Sequence, residues 1–315
     1  MYKHCNLFFM ICESPLHAGS GSDLDFIDNP IQRERHTGYP KIESSSLKGA
    51  IRERFAEQLD RDHPDIAVAF GPNNPSSGNE RQGSLGFSDA RLLLFPVKSA
   101  KGVFAWITCN KVLQRFREDF RRTDNNQDFD IEPFLPVNSN EAFVFSDALV
   151  MKDEESEQHI ILEEYDFDAR QDAEISIEGT PIQNWLAETL FPAADFEFWN
   201  KELSKKLVIL HDDDFADFVE LTTEVITRNK INPETGTVQK GHLFSEEYLP
   251  VDSILYSLVM SHAEFHKNGS GKKADEVLKF FTSNLSGQLN NTLQVGGNAT
   301  IGKGLIRTVL AGVSS

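Results

Sequence analysis

LHAGSGSDLDFIDNPIQRERHTGYPKIESSSLKGAIR, residues 16 to 52, is the densest polar stretch of the chain and the one whose reading decides the fold. It joins a glycine-rich turn and a lone His17 to three aspartates, Asp23, Asp25 and Asp28, then to Arg33, Arg35 and His36, and it ends on a helix start. Ser44, Ser45 and Ser46 offer N-cap hydroxyls, and Leu47, Ile51, Phe55 and Leu59 recur at four-residue spacing to form one apolar face. Lys48 and Arg52 lie one turn apart on a neighbouring face. The free N–H groups and dipole of a helix N-terminus favour anions, so the two cations there make a candidate phosphate site. Gly49 supports it, because glycine inside a helix costs about 1 kcal/mol against alanine and suggests a close approach by a backbone or ligand.

A second glycine-rich stretch, VGGNATIGKGLIR, occupies residues 295–307. Gly297, Gly302 and Lys303 sit at the spacing of a nucleotide-binding P-loop, but Gly304 stands where that loop needs a Ser or Thr for Mg²⁺. Such a loop also follows the first strand of a parallel sheet rather than closing a chain. A nucleotide triphosphate is not implied. The remaining readings are a backbone closely approached by a partner, or a glycine-rich turn between strands.

The 315 residues, 39% hydrophobic, can bury a substantial core. No apolar run approaches the roughly 20 residues that span a bilayer, and the start lacks a clear leader pattern. Cys5, Cys12 and Cys109 form an odd set without a C-x-x-C pair, which argues against a disulfide framework or structural zinc and points to reducing cytoplasm. The net charge of −18 opposes nucleic acid only if it is evenly spread. It is not: residues 151–220 carry 20 acidic against 5 basic side chains, whereas 81–122 carry 9 basic against 3 acidic. The acidic segment reads as a solvated, partly flexible insertion or as a face for a basic partner.

Along the chain, residues 4–12, 85–97 and 103–108 read as strands, and Val112, Leu113, Phe116 and Phe120 mark an amphipathic helix. The phrase FSDA occurs at 87–90 and again at 145–148, a weak sign of repetition. FVELTTEVITR reads as a strand, and NKINPETGTVQKGHLFSEEYLP as a long hairpin turning at Asn232, Pro233 and Gly236. Helices are expected at about 252–266 and 273–289. Interleaved strands and helices give an α+β or α/β class.

HAGSG, IDNPIQRERHTGYP and SSLKGAIR, with GGNATIGKG at the far end, resemble the RAMP superfamily of CRISPR proteins. Most closely they resemble the repeated backbone subunit of type III-B (Cmr) RNA-guided, RNA-targeting complexes. The hairpin resembles that family's thumb and FSDARLLLFPVKS its central strand, so the likeness spans nearly the whole chain. It implies an α+β fold: one elaborated domain over 1–315 with a modified RRM/ferredoxin-like core and large insertions. Within it lie a catalytic and RNA-contacting loop at 13–43, the acidic insertion at 151–220, a thumb hairpin at 226–250 and an RNA-facing loop at 295–307. It also implies copies stacked along a guide RNA, other Cmr subunits as partners, and no membrane.

In that family a loop aspartate supports metal-dependent cleavage of single-stranded target RNA, and the matching residue is Asp28. It would hold Mg²⁺ or Mn²⁺ with RNA phosphate, or take the attacking hydroxyl's proton, leaving 2′,3′-cyclic phosphate and 5′-hydroxyl ends. A non-catalytic guide-binding scaffold is the alternative. Lys48, Gly49, Arg52, Gly296, Gly297, Gly302, Lys303 and Gly304 would face the guide backbone. Arg33 and Arg35 either contact RNA or pair with nearby carboxylates. His17, Glu246 and Glu247 are candidate catalytic supports, with structural roles as their alternatives. His262 and His266 have metal-ligand spacing on the expected helix but no evident third ligand. No aromatic RNP run is present, so binding should be mainly to backbone and shape, independent of guide sequence.

Overall fold

A computed structural model describes residues 2–21, 26–72, 82–124, 129–130, 137–171, 174–265 and 271–311. Asp23, Asp25 and His266 lie outside the described residues.

The apolar run HCNLFFMIC forms the strand His4–Cys12, whose last seven residues are all buried, so both faces are covered. Phe8 meets Phe281 on one face (ring centroids 5.8 Å apart), and Phe9 meets Phe116 on the other (6.0 Å). This strand pairs antiparallel with Ile254–Ser261 on one side and with Leu305–Leu310 on the other. Ala90–Ser99 continues the sheet beyond Ile254–Ser261, again antiparallel. The helices Ser44–Leu59 and Ala274–Ser286 cover the Phe8 face, where Phe55 stacks on Phe281 at 5.8 Å. The helices Asn110–Phe120 and Ile182–Leu190 cover the Phe9 face through Phe116 and Trp185.

Ile254–Ser261 is a strand, not the expected helix over 252–266. Seven of its eight residues are buried, and a run buried on both faces has no periodicity to separate strand from helix. His262 lies beyond the strand end, with its Nδ1 2.7 Å from the Ala263 carbonyl, so the helical metal-ligand spacing does not arise. FVELTTEVITR divides between a helix, Asp212–Leu221, and a strand, Glu224–Ile231. The helix Ser44–Leu59 is not capped by its serines. Burial pushes the Asp89 carboxyl up, but it accepts from the Ser44 amide at 2.9 Å and from Lys41 at 2.9 Å, and these bonds outweigh burial and leave it below the ordinary range. The second FSDA caps nothing comparable: the Asp147 carbonyl accepts from Lys101 instead.

The acidic stretch is folded into the sheet rather than appended as a solvated, flexible segment. Gln158–Leu162, Tyr165–Arg170 and Leu207–Leu210 join Ala90–Ser99, Val103–Cys109 and Glu141–Val144 in a six-strand ring, closed where Ser99 pairs with Leu162. Ile160, Leu162, Phe167 and Leu207 to Leu210, all in that stretch, are buried. Asp212, Asp213 and Asp214 occupy the first turn of their helix, where the macrodipole favours negative charge.

Candidate nucleic-acid interface

Three segments distant in sequence meet at the base of a hairpin made by Glu224–Ile231 and Val238–Tyr248, a two-stranded sheet of its own. The loop carrying Asp28 runs beside the second hairpin strand, with Asn29 bridged in parallel to Glu246. Asp28 is exposed, and its Oδ2 accepts from the Ser245 amide at 2.7 Å and hydroxyl at 2.9 Å. These bonds from Ser245 hold the carboxyl below the usual carboxylate range, so it stands ionised at neutral pH.

Glu246 and Glu247 point to opposite sides of their strand. Glu247 is 2% exposed and accepts from Arg33 at 2.5 Å, from Thr223 at 2.8 Å and from the Ile31 amide at 2.9 Å. Arg33 also donates to the carbonyls of Gly38 and Val219, at 2.7 and 3.0 Å, so its guanidinium is spent on holding the loop. Of the two arginines read as RNA contacts, Arg35 is the exposed one. Gln32 completes the clamp, donating to the Gly19 carbonyl and accepting from the Glu43 amide at the helix start.

On the other side, Glu246 forms an ion pair with Arg228 and accepts from the Tyr248 hydroxyl at 2.7 Å. Asn298, in the glycine-rich loop, donates to the Tyr248 hydroxyl at 2.9 Å and to Glu246 at 3.3 Å. Burial, and then the neighbouring Glu246, push the Tyr248 phenol up. Lys303 lies over the Tyr248 ring, 4.9 Å from its centroid. His17 packs against the same ring at 5.5 Å, and its Nδ1 lies 2.7 Å from the Glu247 carbonyl. A carbonyl only accepts, so Nδ1 carries the proton and neutral His17 keeps its lone pair on Nε2.

The glycines divide into two kinds. A Cβ at Gly296 would sit 2.3 Å from the His17 carbonyl, and one at Gly304 would sit 2.0 Å from the Val295 carbonyl. What approaches these two is the chain itself, rather than only a partner. Gly297 donates its amide to the His17 carbonyl at 2.9 Å, seating the loop on residues 15–17. Gly302, exposed at φ +76°, and Gly49, exposed on its helix, have nothing within 4 Å of a Cβ, so the space beside them is open. Lys48 is half-buried and donates to the Leu85 carbonyl at 2.7 Å; burial and the nearby Arg52 lower its pKa. Arg52 is partly exposed one turn further on.

Sequence reasoning missed Ser245, Tyr248, Arg228 and Asn298. Only the alternation of the strand could have flagged Tyr248 beside Glu246, since i and i+2 share a face.

The RAMP superfamily model matches residues 9–307, and the chain belongs to the RAMP superfamily. Within it the chain is 34% identical over 307 residues to the CRISPR system Cmr endoribonuclease Cmr4 of Pyrococcus furiosus, spanning 96% of this chain and 94% of that protein. The crystal structure of oligomeric Cmr4 from Pyrococcus furiosus is 29% identical, with a TM-score of 0.69 and 99% of each chain covered. A chain of a type III-B Cmr-beta complex, solved by cryo-EM with cognate target RNA, shares the fold at 21% identity, with a TM-score of 0.68 and 98% of each chain covered. The fold is thus the mixed α/β RAMP fold of Cmr4 structures. Among the described residues no helix is long and apolar enough to cross a membrane.

Proposed function

We propose that this chain is a repeated backbone subunit of a type III-B CRISPR effector, which binds guide RNA and cleaves complementary target RNA at regular intervals. One observation carries it: an ionised, exposed Asp28 is fixed at the base of a free-standing hairpin, in a chain 34% identical to a Cmr endoribonuclease. The oligomeric relative supports stacking of copies, and the relatives' names support other Cmr subunits as partners.

We read the core as a modified RRM/ferredoxin-like unit. Its four antiparallel strands follow the order fourth, first, third, second, with one helix after the first strand and one before the fourth. The hairpin is read as the thumb. It exposes Val225, Ile231, Val238 and Leu243, and a two-stranded ribbon alone is marginally stable, which suits an arm that completes its burial on RNA or on the next copy.

The chemistry is strand scission by the RNA's own 2′-hydroxyl. Its oxygen gives up its proton and bonds to the adjacent phosphorus, the bond to the 5′-oxygen breaks, and that oxygen takes up a proton from solvent, so that a 2′,3′-cyclic phosphate and a 5′-hydroxyl result. A nucleotide displaced from A-form geometry can reach the in-line arrangement this needs. An Asp28 carboxyl held below the ordinary range is a poor proton acceptor at neutral pH, which favours an electrostatic or metal-holding role over that of base. Among the described residues no three His, Cys, Asp or Glu gather to hold an ion, and Mg²⁺ needs few protein ligands, so the single carboxylate fits it with phosphate and water completing the shell. Bound Mg²⁺ or Mn²⁺ would supply charge stabilisation at the phosphate. With its Nδ1 turned to the Glu247 carbonyl, His17 offers Nε2 as one candidate acceptor for the hydroxyl proton. Lys48, Arg52, Arg35, Lys303 and the open faces of Gly49 and Gly302 line the guide path in this reading.

The test is target cleavage by the guide-loaded complex, wild type against Asp28→Ala, with and without Mg²⁺, with target binding measured in parallel. Loss of evenly spaced products with binding intact supports the assignment. Unchanged cleavage makes the chain a guide-holding scaffold.

A further inference from the structure

Phe26 has 100% of its surface in solvent, the greatest exposure of any large apolar side chain among the described residues, and it stands two residues before Asp28. Its loop is held firmly just beyond it, by the Asp28–Ser245 bonds and by the parallel bridge of Asn29 to Glu246. Because that pairing is parallel, the chain before Asn29 heads toward the Leu243 end of the hairpin strand, where Leu243 is itself 65% exposed. An aromatic ring is therefore presented to solvent beside the carboxylate and along the hairpin. The sheet face on which an RNA-recognition domain would stack bases is unavailable here, since Phe9, Phe116 and Tyr256 are buried there beneath two helices. Aromatic contact with a base has to come from elsewhere on the molecule.

We propose that Phe26 is the stacking platform for the target-RNA nucleotide next to the phosphate addressed by Asp28, a role that rests on reading Asp28 as the cleavage-site residue. Every base has a π-face, so a ring serves any target sequence, as a subunit whose specificity resides in a guide requires. Stacking the displaced base fixes the sugar to which its 2′-hydroxyl belongs, and so holds the attacking oxygen in line with the phosphorus.

The test uses the guide-loaded complex and targets carrying 2-aminopurine, whose fluorescence is quenched by stacking, at each nucleotide flanking a cleavage site. A 2′-deoxy sugar at the attacking position keeps the target whole. In the wild type one flanking position should be quenched. Phe26→Ala should restore its fluorescence and slow single-turnover cleavage of the all-ribose target by about tenfold, within the range that loss of one base–aromatic stack spans, while target affinity changes little. Phe26→Trp should recover both quenching and rate, which a merely structural role would not produce. Identical fluorescence at every position in wild type and Phe26→Ala, or wild-type cleavage by Phe26→Ala, would overturn the proposal. Persistent cleavage by Asp28→Ala would overturn the cleavage-site reading instead, and the quenching measurement separates the two failures.

Discussion

Asp28 and Ser245, 217 residues apart in sequence, are joined by three hydrogen bonds: Asp28 Oδ2 accepts from the Ser245 amide and hydroxyl, and the Asp28 amide donates to that hydroxyl at 3.0 Å. The pairing fixes both the position and the charge of the carboxylate, and it ties the loop to the hairpin.

Asp28→Ala should reduce target cleavage by about 10²- to 10⁴-fold, the span of a lost acid–base or charge-stabilising group. Guide binding and target affinity should stay near wild type, because the side chain is exposed and anchors no core residue. Gel analysis of evenly spaced products alongside filter binding decides it; a parallel loss of binding would show that Asp28 holds the loop rather than the reaction.

Ser245→Ala should move the acidic limb of the cleavage pH profile upward. The folded carboxyl of Asp28 lies below its ordinary value, so its bonds are fully present above the ordinary pKa and are lost as pH falls through the lowered one. Removing the hydroxyl leaves only the amide donor, and the carboxyl should protonate at higher pH. An acidic limb that stays in place in single-turnover rates would separate the activity from the Asp28 charge.

Glu247→Ala should cost about 3–5 kcal/mol of stability, because it strands Arg33 and the Ile31 amide in a buried setting. Denaturant unfolding should show a lowered midpoint, and Glu247→Gln, which keeps an acceptor, should lose less. Equal losses in the two variants would mean that the charge pairing is not what holds the loop.

Gly304→Ala should destabilise far more than Gly302→Ala. Both have φ near +77°, but only at Gly304 does a Cβ meet a carbonyl at 2.0 Å; at Gly302 the cost is the left-handed backbone alone, about 1–2 kcal/mol. Thermal melts of the two variants should separate, and Gly302→Ala should affect RNA affinity more than its small stability loss explains.

Lys48→Ala and Arg52→Ala should each weaken guide binding and reduce the salt slope by about one unit, the signature of one phosphate contact. An unchanged slope for Lys48→Ala would mean that its bond to the Leu85 carbonyl is its whole role.

The sequence by itself determined the local elements: the doubly buried first strand, the helix carrying Leu47, Ile51 and Phe55, the hairpin at its asparagine and glycine turn, and the motif order that marks the RAMP superfamily. These are set by spacing and turn chemistry within a few residues. Only the tertiary structure decided that the run 254–261 is a strand, since an apolar segment buried on both faces carries no period. It also decided that the acidic segment closes a six-strand ring, because net charge records what faces water and not which apolar residues lie beneath. The site divides in the same way. The motif singles out Asp28 as a candidate, but the partners that govern its charge and surroundings lie more than two hundred residues away. Whether Arg33 reaches for RNA or for Glu247 depends on a contact that no local pattern encodes.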